Sequence, residues 1–169
     1  AGATLFGTEA KGAYEFDGKT YFGQNEHVAS YSGCTDCHST HQLEVKVDEC
    51  SVCHDGVESA ADLHGIRTAE ADYDGDGDTD EGVAGEIEAL HEAVYEAMQA
   101  YSAAVSGNAL AYSSSSYPYF FNDSNGNGVA DPDEAQRANA FAGWTPRLLR
   151  AAYNYQYVAK DPGAYAHNP

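Results

Sequence analysis

The stretch from Cys34 to His54 reads CTDCHSTHQLEVKVDECSVCH and holds all four cysteines of the chain. They form two copies of Cys-x-x-Cys-His: Cys34, Cys37 and His38, then Cys50, Cys53 and His54. That signature marks covalent attachment of c-type haem. Each cysteine pair can reach the two vinyl groups of one porphyrin as thioethers, and the following histidine lies where its imidazole can bind iron. Two covalent haem c groups constrain the fold more than any other feature, because they fill space that side chains would otherwise fill.

Two other chemistries use similar cysteine spacings. Paired Cys-x-x-Cys motifs separated by a short insert resemble a four-cysteine zinc site. Four cysteines can also form two disulfides or a redox dithiol. Neither requires a histidine directly after both pairs, and here both pairs carry one.

The remaining histidines supply candidate second axial ligands. His27 lies seven residues before Cys34. A chain rising roughly 3.3–3.6 Å per residue covers about 25 Å in that interval, enough to pass a haem edge and offer His27 to the far side of the first iron. His41 follows His38 by three residues. It cannot be the second ligand of the same iron, because the porphyrin separates the two axial positions. As a ligand it would serve the haem at Cys50 and Cys53 and tie the two groups together. His64 has no partner pattern and reads as a surface or outer residue, and His91 as a boundary residue of a helix. Met98 is the only methionine and reads as core.

Two acidic loops carry the other chemistry. In DYDGDGDTDEG, Asp72, Asp74 and Asp76 take positions 1, 3 and 5 of an EF-hand-like loop, with Asp78 at 7, Gly77 at 6 and Asp80 at 9. Position 12 is Val83, so Glu81 or Glu86 would have to substitute. In DSNGNGVADPDE, Asp123, Asn125, Asn127, Val129 (through its carbonyl), Asp131 and Glu134 take positions 1, 3, 5, 7, 9 and 12. The second loop is expected to bind Ca2+, without a full helix–loop–helix around it, and the first is a second Ca2+ candidate. So many carboxylates without Lys or Arg among them repel one another unless a cation is present.

The expected fold is mainly α-helical with much irregular structure and a small N-terminal β-hairpin, the haems forming part of the core. It is read as one dihaem domain, residues 1–64 binding haem and 65–169 forming a helical part with the Ca2+ loops. Residues 1–11 read as an arm. Tyr14, Phe16, Thr20 and Phe22 flank Asp17-Gly18, a tight-turn pair, which predicts the hairpin. Ile87, Leu90, Val94, Met98 and Tyr101 predict one apolar face of a helix over 85–105. Residues 106–121 read as a linker ending in an aromatic cluster. Asp131-Pro132 predicts a helix running to about Ala142. Thr145-Pro146 predicts another that turns Leu148, Leu149, Ala152 and Tyr155 inward and ends at Asp161-Pro162-Gly163.

A formal charge of −19 argues against nucleic acid and against anionic membrane surfaces as partners. No apolar run is long enough for membrane insertion. The chain begins at Ala1 and reads as a mature product. Haem attachment outside the bacterial cytoplasm then implies an extracellular or cell-surface address, with the periplasm as the alternative.

The segment NEHVASYSGCTDCHSTHQLEVKVDECSVCH, the loop DYDGDGDTDEG and the end AAYNYQYVAKDPGAYAHNP resemble the C-terminal part of large multihaem c-type cytochromes, the outer-surface cytochromes of anaerobic metal-reducing bacteria. The resemblance covers most of the chain. It implies bis-histidine haems, close haem stacking and extracellular electron transfer, in some relatives through filaments. It makes His38 and His54 proximal ligands, and His27, His41 and His167 distal candidates. Such relatives carry more haem motifs than the two present here.

The expected function is therefore outer-sphere electron transfer by a non-enzymatic dihaem cytochrome. Its expected partners are redox proteins or extracellular electron acceptors, together with further copies of itself. The competing reading is a haem peroxidase or a nitrite or hydroxylamine reductase, which needs one iron with an open position. Three distal candidates for two free axial sites also raise the expectation that one histidine crosses to a neighbouring subunit.

Overall fold

A computed structural model describes residues 2–7, 12–28 and 30–168. The chain divides into two units: the segment up to Leu90 joined by the segment from Asp161 onward, and His91–Lys160. This division does not follow the 64/65 boundary read from the sequence.

In the first unit, short helical turns are set in irregular backbone. They are α1 (Gly2–Phe6), α2 (Cys34–Cys37), α3 (Val47–Cys50), a 3-10 turn at Asp62–Gly65 and α6 (Ala164–His167). The N-terminal arm is thus partly helical, and the Leu5 carbonyl accepts from the Asn25 amide at 3.0 Å. Among the described residues of this unit only Val57, Leu63 and Ala164 are buried hydrophobics. Unit 1 therefore lacks an apolar core of its own, a condition in which small domains need a metal, a cofactor or cross-links.

The predicted N-terminal hairpin does not form. Asp17-Gly18 does turn the chain, with Gly18 at φ +78°, but no strands flank it. Tyr14, Phe16 and Phe22 are exposed, so a ladder there would have no face to bury. The Phe16 amide donates to the Tyr21 hydroxyl at 2.8 Å instead of to a partner strand.

The second unit has an aromatic core of Tyr95, Met98, Leu110, Phe120, Phe141, Leu148, Ala152 and Tyr155. Helix α4 (Val83–Tyr101), whose C-terminal half belongs here, is followed by a π-type turn over Ser102–Ser106. Met98 is buried as expected, but Leu90 and Val94 are 42 and 43 % exposed. The inward face is His91, Tyr95, Met98 and Ser102, turned by about one residue from the aliphatic stripe. Aromatic packing decides that rotation. Tyr95 lies 5.3 Å from Tyr155, and its hydroxyl donates to the Gly128 carbonyl and accepts from the Tyr112 amide.

The sheet lies where the sequence reads as linker. β1 (Leu110–Tyr112) pairs antiparallel with β2 (Phe120–Asn122), with Ala111 opposite Phe121. Residues 132–142 are not the predicted helix. After Pro132 the chain makes turns and a short 3-10 segment, Arg137–Asn139, and the Phe141 amide bonds the Phe120 carbonyl at 3.0 Å. Asn139 donates to the Asn122 and Glu134 carbonyls, which draws the segment onto the sheet edge. Helix α5 (Pro146–Ala159) starts as predicted, with Thr145 accepting from the Leu148 amide at 3.2 Å. It buries Leu148, Ala152 and Tyr155, while Leu149 is exposed.

Candidate functional site

Both Cys-x-x-Cys-His motifs close the same helical turn. The His38 amide bonds the Cys34 carbonyl at 2.9 Å, and the His54 amide bonds the Cys50 carbonyl at 3.0 Å. The first turn is braced by Asp36, whose carboxylate accepts from the Ser32 and Gly33 amides. Lys46 donates through Nζ to the Thr35 carbonyl and through its amide to the Cys37 carbonyl, and Tyr31 donates to Glu49. These bonds tie the two motifs into one block.

None of the four cysteines is in a disulfide. Among the described residues, the groups of metal-ligating side chains clustered closely enough for one ion are all carboxylates, so the four sulfurs do not form a zinc site. Burial pushes the Cys37 and Cys50 thiols up, away from the lowered range of a redox dithiol.

Each motif histidine faces a histidine distant in sequence. His54 lies against His27, ring centroids 5.9 Å apart and planes at 44°. His38 lies against His167, at 6.2 Å and 41°. Two imidazoles sharing one metal, at about 2 Å per bond by analogy with other metal–histidine sites and with ring radii of about 1.1 Å, have centroids roughly 6 Å apart. The separations of both pairs fit that arrangement. His27 thus sits with the second motif, not the first as its seven-residue distance implied. His41 is exposed in the turn between the bridged residues His38 and Val45. Among the described residues its side chain has no hydrogen-bond or ring partner, and it does not meet His54. His64 is exposed, 4.6 Å from the Tyr165 ring, and His91 stacks on Tyr155 at 3.9 Å.

The tautomers of the His38–His167 pair are fixed. His38 Nδ1 lies 2.8 Å from the Leu43 carbonyl, which can only accept, so Nδ1 carries the proton and Nε2 keeps its lone pair. His167 Nδ1 lies 2.9 Å from both oxygens of Asp161. Burial alone would push Asp161 up, but bonds from Thr4 and His167 hold its carboxyl below the usual range. A cavity of about 600 Å3 lined by Cys53, His54, Val57 and Ile66 opens beside the second motif, within the size range of cofactor pockets. Free thiols in matching turns, facing imidazole pairs, this cavity and a sparse apolar core together fit two covalent haems.

The two acidic loops are structural copies. Asp72 accepts from the Gly75 and Gly77 amides, as Asp123 does from Gly126 and Gly128. The Asp76 and Asp78 amides bond Asp74 and Asp76, as the Asn127 and Val129 amides bond Asn125 and Asn127. Glu134 accepts from the Ser124 and Asn125 amides. Glu86, 1 % exposed, accepts from Tyr73 and Asp74 in the same way. Glu86 therefore fills in the first loop the place Glu134 fills in the second, three positions later in sequence. Carboxylate oxygens of Asp72, Asp74 and Glu86 lie within 4.8 Å of one another, as do those of Asp74, Asp76 and Glu81. Asp78 and Asp80 belong to neither group. Burial would raise Glu86, but the Arg67 ion pair at 2.6 Å and the loop amides hold it low. Glu81 is pushed up by burial and by the charges of Asp74 and Asp76.

No protein-family profile matches the chain, and no solved structure matches it. Curated relatives do. A C-type polyheme cytochrome, OmcC of Geobacter sulfurreducens, is 28 % identical over 99 % of this chain. A second, OmcB from the same species, is 35 % identical over 42 % of it. The chain spans 23 % of the length of the first and 10 % of the second.

Proposed function

Starting from a chain homologous to polyhaem c-type cytochromes, we propose that it is a dihaem electron-transfer module with both irons bis-histidine ligated. Cys34, Cys37, His38 and His167 would hold one haem, and Cys50, Cys53, His54 and His27 would hold the other. The observation that carries this reading is the facing of each motif histidine by a second imidazole at 6.2 and 5.9 Å. Haem c supplies one-electron chemistry at iron, and bis-histidine ligation favours the ferric state relative to Met/His ligation, so low potentials are expected. The protein's part is to fill both axial positions and leave no iron open to substrate. The peroxidase or reductase alternative needs such an opening.

The two loops are proposed Ca2+ sites, the second through Asp123, Asn125, Asn127, the Val129 carbonyl, Asp131 and Glu134, the first through Asp72, Asp74, Asp76 and Glu86. Hard oxygen donors in this order suit Ca2+, and a cation offsets part of the charge of −19. An extracellular or cell-surface setting and self-association into a longer haem chain complete the reading. Support for the chain comes from relatives several times longer that carry the polyheme name. With all four axial sites filled internally, assembly would not need a histidine crossing between subunits, and His41 is left as a surplus surface histidine.

Electron paramagnetic resonance and CO binding on the ferric and reduced holoprotein test the ligation. Low-spin ferric signals alone and slow or absent CO binding are expected. A dominant high-spin signal or rapid CO binding at one haem would return the enzyme reading.

A further inference from the structure

Asp161 is almost completely buried, 4 % exposed, although it is a carboxylate. Both its oxygens lie 2.9 Å from His167 Nδ1, and the Gly163 amide adds a bond to Oδ1 at 3.2 Å. The His167 ring also packs so closely on Gly163 that a Cβ there would meet its Cε1. The ring is therefore held by a charge on one side and by backbone on another, with its centroid 6.2 Å from that of His38. Its partner His38 donates to a neutral carbonyl. In the other pair, among the described residues, neither His27 nor His54 has a hydrogen-bond partner for its ring.

Hydrogen bonds from a ligating imidazole to a carboxylate fix its tautomer and raise its basicity. A more basic ligand stabilises the more positively charged iron, the ferric form. We infer that Asp161 is a positioning residue that holds His167 as an Nε2 ligand and sets the haem at Cys34 and Cys37 at a lower potential than the haem at Cys50 and Cys53. The inference rests on the axial pairing proposed above. It gives the module a direction, since electrons settle preferentially on the haem at Cys50 and Cys53. Reduction of either iron adds one electron from the electrode or donor to Fe(III) and makes or breaks no bond.

The test is a spectroelectrochemical titration of the intact dihaem protein with Asp161→Asn, Asp161→Glu and His167→Ala variants. The unmodified protein should show two resolved one-electron midpoints. Asp161→Asn should raise the lower one by about tenfold in the reduction equilibrium, ~59 mV for a one-electron couple. The upper midpoint and the low-spin spectra of both haems should stay unchanged. Asp161→Glu, which keeps the charge, should restore the lower midpoint. A purely structural role for Asp161 would not move one midpoint while both spectra stay low-spin. Coincident midpoints in the unmodified protein, no shift in Asp161→Asn, or an equal shift in Asp161→Glu would overturn the inference. If Asp161→Asn does not fold, His167→Ala decides. Loss of six-coordination at the lower-potential haem supports the inference, and loss at the higher-potential haem overturns it. Two six-coordinate haems in His167→Ala would show that the pairing itself has failed, and the inference falls with it.

Discussion

Histidines 27, 41 and 167 have the same side chain and three different surroundings. His27 and His167 each face a motif histidine, and His41 faces solvent. Replacing His27 by alanine is expected to leave the haem at Cys50 and Cys53 five-coordinate. Replacing His167 should do the same to the haem at Cys34 and Cys37, and His41→Ala should change neither spectrum. High-spin absorption bands in each single variant check this. Buried phenols set a second expectation. Burial pushes Tyr95 up to about 12 and Tyr155 higher still. A group whose folded pKa lies above its unfolded value contributes stability fully present below the unfolded pKa, near 10, and lost as pH rises toward the folded pKa. The second unit should therefore lose on the order of 2 kcal/mol per buried phenol between about pH 10 and 12. Far-ultraviolet dichroism and tyrosinate absorbance, followed together against pH, should change in step. Ionisation of all the tyrosines near pH 10 with the fold intact would contradict the burial argument.

At the scale of elements, what was legible in the sequence is what is local. Each Cys-x-x-Cys-His turn closes on itself within five residues, and the Asp123–Glu134 loop closes within twelve, so spacing alone identified them. Thr145-Pro146 is a local helix start, and α5 begins there. The misread elements depend on partners elsewhere. Ser113–Ser116 looks like linker, yet Leu110–Tyr112 and Phe120–Asn122 pair because Leu110, Phe120 and Phe121 have a core to enter. The Tyr14–Phe22 segment has the better turn and no core. On α4, aliphatic residues marked one stripe, but the aromatic core chose Tyr95 over Val94. Glu86 was ambiguous with Glu81 because a ligand displaced to the next helix leaves no fixed spacing. Its hydrogen bonds, matching those of Glu134, single it out. Chelation is expected to lower the melting temperature of the haem-loaded protein, by mass action on a state that binds the ion. Glu86→Gln should lose one Ca2+ per chain by metal analysis while the Asp123–Glu134 loop keeps its own. Unchanged melting with no ion found would remove Ca2+ from the account.

At the scale of the molecule, the two units are held by different means. The second has an aromatic core made wholly of its own side chains. The first has only three buried apolar residues among those described, and its hydrogen bonds are mostly short-range turns and caps. Replacing the four cysteines by alanine, which removes covalent haem, is expected to abolish amide protection through the first unit. Protection should persist at β1, β2 and α5. Hydrogen exchange read by mass spectrometry checks it, and equal loss in both units would mean that the second also depends on haem. The distal pairing was the least legible feature at this scale. A contact between His38 and His167 is set by the docking of both chain ends in one unit, where Asn168 Nδ2 donates to the Gly23 carbonyl at 3.0 Å, and no spacing rule reaches across it.

That crossing of the chain ends also imposes an order in time. During synthesis the N-terminal residues emerge first. The His27–His54 pair lies within the first third of the sequence, so its site can be completed early. His38 must wait for His167, far later in the sequence, to arrive before its partner exists. Between those moments one haem would be enclosed on both sides while the other is a five-coordinate, reactive iron. A chain truncated after Lys160 should preserve that half-finished stage, with one low-spin haem and one that binds CO. Adding a synthetic peptide of residues 161–169 should close the second site and abolish the CO binding.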